Sequence, residues 1–282
     1  MRVSHPGIDR HPATTAPTTE PHRVAIAVAL AVLLVLLLAR RTWGQAVDDS
    51  LPFAAGEHLV YDAHAGPGLN GKAEMWIEGP VDVRGTSTLR LRFTFAARVG
   101  FLRVEDNTTS WLDPVRMATL RFMKEEHHLL ARHSEDVSID PLARTWTSAD
   151  GRGGTSPSSS PLDELSFIYA VRTFALRDGD VLTLDRHFDP DRSPTTVRLV
   201  GRGSVTTSAG VFATREVEMR VRDARNYKGE GVIHVSLSAD ACRRPIRIES
   251  AIPGAGTVVL TLSSAAPVIA ACEPRMLAAR VP

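Results

Sequence analysis

Strict alternation of apolar and polar side chains is the feature that most constrains this fold. Over residues 89–95, leucine or phenylalanine occupies every odd position, and arginine or threonine occupies every even one. The same period of two returns over residues 216–222, 233–238, 246–249 and 258–262. A period of two places all apolar side chains on one face of an extended strand, which a helix does not do. The sequence therefore predicts antiparallel strands with one face toward a core and the other toward water.

Turn-forming residues separate these runs. They include Asn-Gly at residues 70–71, Asp-Pro at residues 140–141 and Asp-Gly at residues 178–179. Their short spacing is typical of a β-meander and does not fit βαβ crossovers. Residues 150–160 are rich in glycine and serine, and we predict a mobile surface loop there.

One helix is predicted, over residues 161–176. Ser160 can cap it, and Pro161 fits its first position. The acidic Asp163 and Glu164 favour the positive end of the helix dipole. An apolar side follows, formed by Leu162, Leu165, Ile168 and Tyr169. Because a lone helix must pack this side on a sheet, the predicted fold is mainly β: a strongly curved antiparallel sheet or partly open β-barrel with one covering helix.

We predict an export signal in the amino-terminal part of the chain. Residues 1–23 contain four prolines and few large apolar side chains, so we predict that they are disordered. Residues 24–39, VAIAVALAVLLVLLLA, would form a hydrophobic helix about 24 Å long, shorter than the hydrocarbon core of about 30 Å. That length favours a cleaved signal peptide over residues 24–46, although Arg40 and Arg41 are unusual near a cleavage site. An uncleaved anchor in the inner membrane is the alternative, and both place the domain in the periplasm.

Charge and cysteine content exclude several classes of protein. There are 33 Lys and Arg against 32 Asp and Glu, so we predict no nucleic-acid partner. Two cysteines are too few for a cysteine-built zinc or iron–sulfur site in one chain. Cys242 precedes and Cys272 follows a predicted hairpin, and an oxidising compartment favours disulfides. We predict a Cys242–Cys272 disulfide, with two separate thiols as the alternative.

Known catalytic motifs are missing from the sequence. There is no Gly-x-Ser-x-Gly, no His-Glu-x-x-His, no P-loop and no dinucleotide-binding glycine pattern after a strand. His127, His128 and His133 lie near carboxylates, but on a strand they cannot face one metal ion together. We therefore predict no catalytic residue, no metal site and no cofactor, and we expect the protein not to be an enzyme.

The aromatic residues suggest either a filled core or a binding cleft. They are Trp76, Phe93, Phe95, Phe101, Trp111, Phe122, Trp146, Phe167 and Tyr169. Filling the core is the simpler interpretation, but a curved sheet under one helix can leave an apolar cleft. Leu120 and Phe122 alternate with Arg121, which would place a guanidinium beside an apolar wall. That arrangement would suit an amphipathic guest with an anionic head group.

Short segments in a fixed order resemble a known family. In order they are PFAAGE and LVYD within 52–62, GKA at 71–73, TSWLDP at 109–114, LRFMK at 120–124, PLD and YAVRT within 161–173, LRDGD at 176–180, SAGVF at 208–212 and RPIRIES at 244–250. Across about residues 51–262, this set resembles the DUF3108 family of exported bacterial proteins, a domain of unknown function. The resemblance implies a periplasmic or envelope-facing all-β domain, and it brings no catalytic residues.

Two functions are compatible with these features. The first is an exported, non-enzymatic β-domain of the bacterial envelope that binds an apolar or amphipathic, lipid-like molecule, with no binding residue assignable. The alternative is a membrane-anchored structural or protein-interaction module that uses an exposed sheet edge. The predicted organisation is a disordered segment at 1–23, a signal peptide or anchor at 24–46, a β-domain at 51–272 and a tail at 273–282.

Overall fold

The structure is a computed structural model, and it describes residues 51–65, 69–99, 102–127, 132–224, 227–253 and 256–266. The predicted disordered segment, the apolar run at 24–39, Cys272 and the tail at 273–282 lie outside these ranges. Within these ranges, no helix is long and apolar enough to cross a bilayer.

Strands make up most of the described residues. They are β1 (His58–Ala65), β2 (Leu69–Val83), β3 (Thr86–Val99), β4 (Leu102–Asp113), β5 (Ala118–His127), β6 (Arg132–Asp140), β7 (Thr145–Ser148), β8 (Gly153–Thr155), β9 (Val181–Leu184), β10 (Thr195–Thr207), β11 (Gly210–Val221), β12 (Gly231–Ser238), β13 (Pro245–Ile252) and β14 (Gly256–Ala266). The described ranges also contain one α-helix, α1 (Glu164–Val171), and one 3₁₀ turn, Pro190–Arg192. The mainly β prediction with a single helix is confirmed.

All strands belong to one antiparallel sheet, in the order β8-β7-β6-β5-β4-β3-β2-β1-β14-β13-β12-β11-β10-β9. Two meanders, β1 to β8 and β9 to β14, are joined where β1 pairs with β14 and Tyr61 lies opposite Leu262. The edge strands β8 and β9 are consecutive along the chain. The linker that carries α1 therefore runs from one edge of the sheet to the other.

The alternating side chains form a core on one face of this sheet. Leu89 and Leu91 of β3 are at most 2% exposed, and they share one core cluster with Val217 of β11 and Val235 of β12. Five strands separate β3 from β11 in the sheet order. The chain after β9 also packs Phe188 against Trp146 of β7, near the other edge of the sheet. The two edges can approach each other only because the sheet curves, so it has a concave inner face and a convex outer face.

The helix is shorter than predicted at both ends. Leu162 is extended rather than helical, because its backbone N–H donates to the carbonyl of Arg186 at 2.6 Å and its carbonyl accepts from Phe188 at 3.0 Å. Asp163, and not Ser160, is the N-cap. Val171 is the last helical residue, although the prediction extended to residue 176.

Residues 150–160 are held by the sheet edge, in contrast to the predicted mobile loop. The segment contains β8, and Ser156 is fully buried. The backbone N–H of Ser156 donates to the carbonyl of Arg144 at 2.7 Å, and the Arg144 side chain donates to the carbonyl of Pro157 at 2.6 Å. Composition alone predicts flexibility because it does not show that Arg144, which lies outside this segment, binds Ser156 and Pro157.

A second, smaller core lies near the β8 edge of the sheet. Its buried members are Phe122, Val137, Ile139, Trp146 and Phe188. The ring of Phe188, which follows β9, lies 5.5 Å from the ring of Trp146 on β7. The chain after β9 therefore packs against the opposite end of the sheet and helps to hold the curved sheet together.

Candidate functional site

The helix α1 is buried on every side except one. Its residues are at most 6% exposed apart from Glu164 and Ile168. The Glu164 side chain is 40% exposed, and Ile168 is half-buried. Residues four positions apart lie on the same side of a helix. This side of α1 therefore faces an opening, whereas the rest of the helix packs against the sheet.

Half-buried apolar side chains on the concave face accompany this opening. Along β14, Leu262 and Leu260 are buried, whereas Val258, nearer to the start of the strand, is half-buried. The residues of this kind that pack against the same core as Ile168 include Phe93, Val104, Ile233 and Val258. We call these four residues, together with Ile168, the inner chamber.

Lys124 brings a positive charge to the concave face. It lies on β5 two residues after the buried Phe122, and its ammonium group donates to Glu164 Oε2 at 3.0 Å. Glu126 Oε1 lies 2.7 Å from the same nitrogen. Burial disfavours the charged form, but Glu164 and Glu126 outweigh it and raise the pKa of Lys124 above its usual range. Lys124 is therefore a fixed cation beside the inner chamber.

Arg192 connects three parts of the fold. Its guanidinium lies 2.7 Å from Glu135 Oε1 on β6, 2.8 Å from Glu164 Oε1 on α1 and 3.1 Å from Asp223 Oδ2 after β11. Burial disfavours the ionised form of Glu164, but the charges of Lys124 and Arg192 lower its pKa to about 2. We call the group of Lys124, Glu126, Glu135, Glu164, Arg192 and Asp223 the polar cluster.

Asp163 fixes the position of the helix start and so of Glu164. Its carboxylate is fully buried and accepts hydrogen bonds from the hydroxyls of Ser110 and Thr119. It also accepts from the backbone N–H groups of Leu165 and Ser166, each at 2.9 Å. Burial raises the pKa of Asp163, although all four hydrogen bonds favour the ionised form.

The other end of α1 is closed by a buried ion pair. Arg172, which is fully buried, donates to the two carboxylate oxygens of Glu57 at 2.6 and 2.7 Å. The same guanidinium donates to the carbonyls of Pro52 at 2.7 Å and Cys242 at 3.0 Å. It also lies 5.1 Å from the ring centroid of Phe53. This arrangement, which we call the buried lock, ties the helix end to β1 and to the turn before β13.

Of the two cysteines predicted to pair, only Cys242 lies in the described part of the chain. It is 1% exposed, in the turn between β12 and β13. Cys272 lies outside the described residues, so the disulfide stays a prediction.

Arg121 lies on the convex face of the sheet, whereas an anionic guest in the cleft would need a cation on the concave face. Strand alternation places it on the convex face, where it donates to Asp136 at 2.9 and 3.1 Å and covers the ring of Trp111 at 5.1 Å. The cation on the concave face is Lys124. It could have been found from the sequence, because position 124 continues the inward period of two from Phe122.

The aromatic residues divide between the core and the convex face. Those that are buried in the two cores are Phe95, Phe122, Trp146, Phe167 and Tyr169. Trp76 lies on the convex face under Arg92, whose guanidinium is 4.9 Å from the ring centroid. Phe93 borders the inner chamber, and Phe101 lies outside the described residues.

The histidines near β5 and β6 do not converge. His127 is exposed at the end of β5, and His133 lies 3.2 Å from Glu135. His128 lies outside the described residues. Among the residues that the structure describes, no group of three His, Cys, Asp or Glu side chains is placed to hold a metal ion.

The edge of the sheet at β10 is only partly covered. β9 pairs with Thr195–Arg198, whereas β11 pairs with β10 as far as Thr207. In the part of the chain that is described, residues 199–207 thus have a neighbouring strand on one side only. A groove of about 380 Å³ begins there, bordered by Gly179, Asp180, Val181, Arg198, Leu199 and Val200.

A solved structure shares this architecture at low sequence identity, and two others align with lower scores. A beta-barrel-like protein of the domain of unknown function DUF1849 from Brucella abortus aligns with a TM-score of 0.53 and 13% identity, over 75% of this chain and 97% of that one. A candidate lipoprotein from Parabacteroides distasonis aligns with a TM-score of 0.33 and 10% identity, over 77% and 97% of the two chains. A candidate exported protein with a YmcC-like fold from Bacteroides fragilis aligns with a TM-score of 0.33 and 12% identity, over 77% and 98%.

No curated protein matches the chain. A family model does match its sequence. Residues 60–263 match DUF3108, described as a protein of unknown function, and this range runs from β1 to β14. The resemblance found in the ordered segments is therefore confirmed, and the chain belongs to the DUF3108 family.

Proposed function

We propose that this protein is an exported, non-enzymatic β-domain of the bacterial envelope that binds an amphipathic, lipid-like molecule in the inner chamber. The observation that carries the proposal is the exposed side of α1. There Ile168 lies one helical turn from Glu164, which contacts Lys124. Phe93 pairs with Thr108 of β4, which in turn pairs with Lys124 of β5, so Phe93 faces the same side of the sheet as Lys124.

Apolar walls with a few placed polar groups are typical of small-molecule sites. In the interior of a small domain, large apolar side chains are normally buried completely by their neighbours. Phe93, Ile233 and Val258 point to the concave face and still keep accessible surface. An alkyl chain laid against them would remove that surface from water, and the polar cluster would contact the head group.

The same geometry favours binding over catalysis. The hydroxyl groups nearest to a carboxylate in this region belong to Ser110, Thr119 and Ser166, and all three residues are fully buried around the start of α1. Lys124 and Arg192 each contact at least two carboxylates. Neither a buried hydroxyl nor a saturated cation is available to attack a substrate.

Export is proposed from the apolar run at residues 24–39, with either a soluble periplasmic form after cleavage or an inner-membrane anchor. Mass spectrometry of the protein from its native envelope distinguishes the two. A mature chain that starts near Val47 supports cleavage, and an intact chain in the membrane fraction supports the anchor. An intact chain in the cytosol would contradict export.

Photolabelling tests the binding site. The full-length protein in lipid nanodiscs is exposed to a dodecyl maltoside that carries a diazirine in its alkyl chain, and labelled peptides are mapped by mass spectrometry. We expect label at Phe93, Ile168 and Ile233. Ile168→Glu should lower this labelling about fivefold, because a buried charge opposes an alkyl chain. Val211→Glu, at a site that is 70% exposed, is the matched control. Label spread evenly over the convex face would contradict the proposal.

A second candidate function is protein interaction at the edge of β10. The unpaired run of residues 199–207, with the exposed Val200 and Val181 beside it, offers backbone groups and side-chain contacts to an added strand. A photoreactive amino acid at position 200 should crosslink one partner in cells, whereas the same amino acid at position 115 should not. Equal crosslinking from both positions would contradict this candidate.

A further inference from the structure

The polar cluster beside the inner chamber carries unequal charge. It contains four carboxylates, on Glu126, Glu135, Glu164 and Asp223, and two cations, on Lys124 and Arg192. His133 contacts Glu135, and like His187 it adds positive charge only when its imidazole is protonated. Asp223 makes a further interaction, so the excess is judged from the other members of the cluster. With neutral imidazoles, their three carboxylates exceed the two cations by one negative charge.

Both cations are already occupied by these carboxylates. Lys124 contacts Glu126 and Glu164, and Arg192 contacts Glu135, Glu164 and Asp223. An incoming sulfate, phosphate or carboxylate would have to displace one of these partners and would meet the excess negative charge. An anionic head group is therefore disfavoured.

The accessible atoms of the cluster are mainly carboxylate atoms. The side chain of Glu164 is 40% exposed and that of Glu126 is 21% exposed, against 20% for Lys124 and 6% for Arg192. An ionised carboxylate has about four acceptor sites. The contacts to Glu164 are one to each oxygen, from Lys124 and Arg192, so a further cation can still approach it, whether or not it donates a hydrogen bond.

We infer that the inner chamber selects amphiphiles with a positively charged head group, such as an amine or a quaternary ammonium. The inference rests on the proposed function, since the chamber must first accept an alkyl chain. Glu164 is the main contact for the cation because it is the most exposed carboxylate of the cluster and lies one helical turn from Ile168, on the apolar wall. Lys124 and Arg192 hold Glu164 in place and keep it ionised.

The test compares three photoreactive dodecyl probes with the same alkyl chain. Their head groups are trimethylammonium, sulfate and maltoside, and each is applied at equal concentration to the full-length protein in nanodiscs at pH 8, where an unperturbed imidazole is neutral. Labelling at Phe93 and Ile168 is measured relative to labelling at Trp76 on the convex face. We expect the cationic probe to label the chamber about tenfold more than the anionic probe, with the neutral probe between them.

Variants identify the responsible carboxylate. Glu164→Gln should lower labelling by the cationic probe about fivefold and leave the neutral probe unchanged. Glu126→Gln should act in the same direction with a smaller effect, and it serves as a second test should Glu164→Gln destabilise the fold. The matched control is Glu74→Gln, whose side chain is 44% exposed and contacts His58 on the convex face.

The outcomes separate the inference from the proposed function. Equal chamber labelling by all three probes, or preference for the anionic probe, overturns the head-group inference and leaves alkyl binding intact. Absence of chamber labelling by every probe overturns both. Preference for the cationic probe that persists in both Glu164→Gln and Glu126→Gln overturns the assignment to this cluster.

Discussion

The two ends of α1 use the same chemistry under opposite conditions of solvent access. At the buried lock, Arg172 and Glu57 are at most 3% exposed and contact each other through two hydrogen bonds. At the polar cluster, Arg192 is also buried, with 6% of its side chain exposed, but its partner Glu164 is 40% exposed. At the buried lock, the arginine–glutamate pair is thus inaccessible to solvent and serves the structure. At the polar cluster, the glutamate of the pair remains accessible. The difference lies in what surrounds the pair.

The largest effect is expected at the buried lock. Glu57→Gln leaves the Arg172 guanidinium charged and fully buried, so the free energy of unfolding should fall by about 3–5 kcal/mol. Urea denaturation followed by circular dichroism measures the loss. The double variant Glu57→Gln/Arg172→Met removes both charges and should recover part of the stability. If the free energy of unfolding falls by less than about 1 kcal/mol, as for a surface ion pair, the buried lock does not stabilise the fold.

A smaller loss is expected at the start of the helix. Asp163→Ala removes the N-cap and leaves Ser110 and Thr119 without their acceptor, which should cost about 1–3 kcal/mol. It should also reduce chamber labelling, because Glu164 follows directly in the chain. Asp150→Ala, at an exposed turn, is the control. If Asp163→Ala lowers stability but leaves chamber labelling unchanged, the start of the helix does not position the binding site.

The pH dependence of stability tests whether Glu164 is held as an ion. Its folded pKa of about 2 lies below its ordinary value of 4.5, so its contribution to stability is complete above pH 4.5 and is lost as the pH falls toward 2. The difference in unfolding free energy between wild type and Glu164→Gln should therefore shrink across this window. A difference that is constant from pH 6 to pH 2 would mean that the cations do not hold the carboxylate.

The smallest effect is expected on the convex face. Arg121→Gln removes an ion pair whose two side chains are 43% and 40% exposed, so the stability should change by less than about 1 kcal/mol. Chamber labelling by each of the three probes should stay the same. Reduced labelling by the sulfate probe would show that Arg121 contacts the head group. That result would contradict its position outside the chamber.

Much of the fold could be predicted from local pattern. The period of two at residues 89–95 and 216–222 correctly placed buried and exposed faces, because strand alternation is a property of the backbone. The helix was correct in existence but not in length. Its first turn was lost because Leu162 pairs with residues after β9, a contact that no local signal encodes.

The candidate site was harder to predict because its members are distant in sequence. Lys124 and Glu164 are 40 residues apart, and Arg172 and Glu57 are 115 apart. Alternation can place Lys124 on the inner face, but it cannot say which carboxylates reach it. The sequence interpretation places the Arg121 guanidinium beside the apolar wall, but Arg121 and Phe122 are neighbours on a strand and therefore face opposite sides of the sheet.

Local chemistry along the chain was enough to establish strands, their two faces, a single helix and membership of DUF3108, since each depends on neighbouring residues or on their order. The curvature of the sheet, the burial of Arg172 and the meeting of Lys124 with Glu164 arise only after β1 pairs with β14 and the linker that carries α1 connects the two edges. Burial and charge pairing are properties of the whole packed fold, because they depend on which distant surfaces exclude water together.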